Sequence, residues 1–82
     1  MDLDLTKLIV STLLRIQEER NYSLRGMALK LQISPGHLSM IYRGQRAVGI
    51  GLLLAALREF TEVRQVLVSA LLPPNPSKTS RR

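Results

Sequence analysis

The 82 residues predict an all-α fold of five short helices, and three observations carry that prediction. Leu, Ile, Val and Ala supply most of the apolar content, while Tyr22, Tyr42 and Phe60 are the only aromatics; such a core suits packed helices. Apolar residues recur at three- and four-residue intervals, and no strand-length alternation is present. Ser, Thr, Asp, Pro and Gly fall where helices should start and stop. The length fits one domain, assigned to residues 1–72, with residues 73–82 as a flexible basic tail.

Helix 1 is expected from Asp4, its N-cap, to Arg20. Leu5, Leu8, Ile9, Leu13 and Ile16 share one face, and Asn21 ends it. Helix 2 follows from Leu24 to Leu31 behind the cap Ser23, with Met27, Ala28 and Leu31 inward. After the turn Gln32-Ile33, helix 3 opens at Ser34-Pro35. Proline suits the first helical position because its missing N–H has no partner there. Leu38 and Ile41 point inward, and Gly44 stops the helix beyond Tyr42 or Arg43. Helix 4, Ile50 to Phe60, is apolar on most sides and is expected to be the most buried. Thr61 is expected to cap helix 5, Glu62 to Leu72, with Val63, Val66, Leu67, Ala70 and Leu71 inward. Pro73-Pro74 should end it, and the tail that follows holds too little apolar surface to fold.

Composition excludes several functions. Without cysteine there are no disulfides and no thiolate metal sites, and no metal or cofactor is expected. The longest apolar run, Val48 to Leu57, is too short to span a bilayer. Asp2 and Asp4 stand where a signal peptide would carry positive charge, so a soluble cytoplasmic protein without a membrane partner is expected. An enzyme is not expected: there is a single histidine and no glycine-rich phosphate loop. No small-molecule ligand is implied.

The net charge is +6, and its placement matters more than its size. Between Ser23 and Arg46 stand Arg25, Lys30, Arg43 and Arg46 with no Asp or Glu; all six acids lie outside. A face meant for a polyanion requires that purge, although a solvated basic surface would read the same.

Helices 2 and 3 form two short helices across a tight turn, with small Ala28 where they approach and Leu38 and Ile41 anchoring the second. This leaves the outer side of helix 3 free to enter a DNA major groove. Ser23 to Arg46 resembles the Cro and phage-repressor (XRE-type) helix-turn-helix family. Ala28, Ile33, Ser34, Leu38, Ser39, Ile41 and Gly44 stand where the family pattern has them. The resemblance spans about Leu5 to Leu72. It implies a five-helix lambda-repressor-like domain that binds double-stranded DNA and regulates transcription. Two positions depart from the pattern. Gln32 replaces the usual turn glycine, and Pro35-Gly36 stand where relatives carry long base-reading side chains, which shifts weight to backbone contacts and DNA shape.

The DNA-binding candidates are Arg25, Ser34, Gly36, His37, Ser39, Met40, Arg43 and Arg46. His37, placed away from Leu38 and Ile41, has the chemistry to donate to a phosphate or a guanine edge, or is merely exposed. Met40 either meets a thymine methyl or packs at the rim of the core. Arg43 and Arg46 suit phosphates, and also the macrodipole of helix 3. Ser34 is explained by capping alone, Ser39 can face phosphate, and Arg25 meets the backbone beside the groove. Lys30 reads as a solvated lysine. Lys78, Arg81 and Arg82 either add nonspecific affinity or only solubilise.

Second apolar stripes, Leu3, Val10 and Leu14 on helix 1 and Val68 and Leu72 on helix 5, suggest a homodimer built on helix 5, with or without part of helix 1. Mutual packing of those helices within one chain is the simpler account. The competing functional reading is a protein-interaction module on the same fold. A phage-type repressor, a restriction–modification controller and an antitoxin stay open, as does the operator sequence.

Overall fold

The computed structural model describes residues 4–72. Within them the chain is all-helical: α1 Leu5–Glu19, α2 Leu24–Leu31, α3 Pro35–Tyr42, α4 Ile50–Glu59 and α5 Thr61–Leu71. The expected tail, its Pro73-Pro74 stop and Leu3 lie outside the described residues. α1 packs on α5 and α3, α2 on α3 and α4, and α4 on α5. Leu13, Ile16, Met27, Leu31, Leu38, Ile41, Phe60 and Val63 are fully buried at the centre.

Caps set the first three starts. Asp4 Oδ1 accepts from the Lys7 amide at 3.1 Å, Ser23 Oγ from Gly26 at 2.9 Å and Ser34 Oγ from His37 at 3.1 Å. Each cap contributes about 1 kcal/mol. The same three helices end alike. Asn21, Gln32 and Gly44 all take positive φ (58°, 64° and 79°). The residue after each returns its amide to a carbonyl five residues back: Tyr22 to Gln17, Ile33 to Ala28 and Gln45 to Met40. That closure needs a left-handed residue, so Gln32 occupies the conformation that a turn glycine normally serves.

Three expectations fail in detail. α4 is not the most buried helix: Leu52, Ala55 and Ala56 face inward, but Ile50 and Leu54 are 72% and 48% exposed. Thr61 does not cap α5. Extended Phe60 (φ −127°, ψ 112°) ends α4 and begins α5 with no side-chain cap, because its buried ring is held in the core. Leu71 is 57% exposed rather than inward. On α1, Leu5 and Leu8 are only half-buried, and Thr12 is buried instead; its hydroxyl donates to the Leu8 carbonyl at 2.7 Å, which makes burial affordable.

Candidate nucleic-acid interface

α3 is held from three sides. Leu38 and Ile41 sink into the core, Ser34 fixes its first turn, and the Tyr42 hydroxyl donates to Gln17 Oε1 of α1 at 2.8 Å. Burial pushes the Tyr42 phenol up to about 12, so it keeps its donor proton at pH values where an exposed tyrosine would lose it. The opposite side of α3 is open. Gly36, Met40 and Arg43 succeed one another at spacings of four and three, which puts them on one stripe facing away from Leu38 and Ile41. Gly36 and Arg43 are exposed and Met40 is half-buried. A Cβ at Gly36 would meet nothing, so the first turn of α3 is left bare by choice of residue and not by crowding.

His37 departs from its expected position. It is four residues from Ile41 and therefore shares a side with it. It lines the edge of a groove of about 400 Å³ between the turn and the α3–α4 loop, together with Gln32, Ile33, Arg46 and Ala47. Ser39, also half-buried, flanks the outward stripe on the other side. The interface thus has a stripe, Gly36–Met40–Arg43, and two flanks, one of which pairs His37 with Arg46. Gln32, exposed in the same groove, is a polar group that sequence reasoning treated only as a turn residue.

Arg25, Arg43 and Arg46 are exposed, and none forms an ion pair among the described residues, where Arg20–Glu62 alone does so. Lys30 is not simply solvated: its ammonium sits 5.1 Å from the centre of the Tyr22 ring, a cation–π contact that commits it to the fold. The Arg20 guanidinium likewise lies over Phe60 at 5.6 Å. The cations on the acid-free stretch therefore divide into one held structurally and three left available. α4 begins beside this groove at Gly49 with no side-chain cap, so its first amides are not satisfied by a side chain.

Among the described residues no group of His, Cys, Asp or Glu is placed to hold a metal ion. No helix there is long and apolar enough to cross a membrane. Comparison of the chain with protein-family models, curated proteins and solved structures found no match.

Proposed function

We propose that the chain is a sequence-specific regulator of transcription that lays α3 in the major groove of double-stranded DNA. The observation that carries this reading is that Arg43 ends the open stripe of α3 and Arg46 stands on its flank with His37, both exposed and, like exposed Arg25 of α2, without ion-pair partners among the described residues. A helix that presents a bare stripe between cations suits a groove walled by phosphates. In this reading Arg25, Arg43 and Arg46 bind the backbone, while Met40 and His37 supply the few base contacts. The small Pro35-Gly36 turn allows close approach and leaves part of the specificity to DNA shape.

The protein acts as a homodimer in this reading, with two recognition helices about 34 Å apart on a palindromic site. A gel shift on random duplex DNA across a salt series tests the function. Binding that weakens steadily as salt rises is expected. No shift at about 50 mM salt, where nonspecific electrostatic binding is strong, would favour a protein-interaction module on this fold.

A further inference from the structure

We infer that Lys7 of α1 joins Arg43 in holding a phosphate of the DNA backbone beside the C-terminal end of α3. The inference rests on the DNA-binding reading and extends its interface to a helix outside the acid-free stretch. Thr6, Lys7, Val10 and Leu14 of α1 line one groove of about 410 Å³ with Tyr42 and Arg43. Its floor is apolar and its rim carries two exposed cations, neither in an ion pair among the described residues. The acid nearest in sequence, Asp4, turns its carboxylate to the Lys7 backbone amide. Two cations on one groove repel each other unless an anion lies between them, and an apolar wall strengthens their field. The Tyr42–Gln17 hydrogen bond fastens the end of α3 to α1, so the groove keeps its shape when α3 docks. A phosphate strand fits better than an acidic peptide because Arg43 also ends the open stripe of α3, making these cations continuous with the face assigned to DNA.

The test is binding of a random duplex, followed by fluorescence anisotropy between 50 and 200 mM salt, for the wild type, Lys7→Ala, Arg43→Ala and Arg58→Ala. Alanine at exposed position 7 keeps the backbone amide and a good helix former, and a thermal melt checks folding. Lys7→Ala should lower the magnitude of the log K against log salt slope by about 0.9, as Arg43→Ala does. The affinity lost across that salt range then shrinks about 3.5-fold per contact removed. Arg58→Ala removes an equal charge from α4, outside this groove, and should leave the slope unchanged. A wild-type slope in Lys7→Ala beside a reduced one in Arg43→Ala would overturn the inference and spare the DNA reading. An equal drop in Arg58→Ala would overturn it too, since net charge would then be the cause. A wild type that binds no DNA would remove the DNA reading itself.

Discussion

Gln32 shows how one backbone requirement and one side chain diverge. The left-handed closure of α2 demands positive φ, and a residue with a Cβ there is strained by about 1–2 kcal/mol relative to a right-handed one. Glycine would relieve the strain but lose more chain entropy. Gln32→Gly should therefore be neutral or stabilise by up to about 1 kcal/mol, a rise in Tm of no more than about 4–8 °C for a domain of this size. A clear drop in Tm would mean that the Gln32 side chain holds a contact in its groove. Base reading also belongs to single residues. Met40 on the open stripe and His37 on the flank are the groups suited to thymine methyls and guanine edges. Selection of bound sites from a random pool should give a flatter preference for His37→Ala/Met40→Ala than for the wild type; an unchanged site would assign specificity to DNA shape. At this scale the sequence was partly legible. Spacing found Leu38, Ile41 and every cap of the first three helices. It did not show that His37 turns toward the α3–α4 loop, although the four-residue interval to Ile41 held that signal. The Lys30–Tyr22 contact joins residues eight apart, which no single-turn pattern reveals.

The helices differ in how well local chemistry describes them. α2 and α3 carry a capping serine at one end and a left-handed residue at the other, so their starts were readable from sequence to the residue, while the end of α3 was left between Tyr42 and Arg43. α4 and α5 have no such signals at their junction. Phe60 is placed by burial, a property of the whole core, and the leucine-rich run of α4 does not say which leucines face out. The link between α3 and α1 is likewise tertiary. Tyr42 is raised to about 12 by burial, against about 10 in the unfolded chain. Below pH 10 both states hold the proton. Between about pH 10 and 12 the unfolded chain gives it up while the folded one keeps it, so stability falls as pH rises through that window. Thermal melts should show the wild type losing its advantage over Tyr42→Phe from about pH 10 upward, and a difference that stays flat would contradict the burial. At neutral pH the same variant should cost about 0.5–1.5 kcal/mol through the lost Gln17 bond.

Over the whole molecule, the structure separates the two apolar stripes seen in the sequence. Val10 and Leu14 turn toward the end of α3, whereas Val68 and Leu72 line a groove of about 380 Å³ beside Leu57 of α4, with Leu71 and Arg64. Packing of α1 on α5 covers neither wholly: Leu14, Val68, Leu71 and Leu72 stay 37–61% exposed. In the proposed dimer the α4–α5 groove, and not α1, would be the contact surface. Sedimentation at micromolar concentration should give a dimer that Leu72→Glu splits without loss of helical signal, while Leu14→Glu leaves it intact. A wild-type monomer, both free and on DNA, would end the dimer proposal.

Whether the open side of α3 meets duplex DNA through its cations is read from the salt dependence of Arg43→Ala/Arg46→Ala. If each arginine holds one phosphate, the double variant should bind all duplexes more weakly, with a slope of log K against log salt smaller in magnitude by about 2. A double variant that binds random duplex with wild-type affinity and wild-type slope would place the DNA elsewhere on the protein.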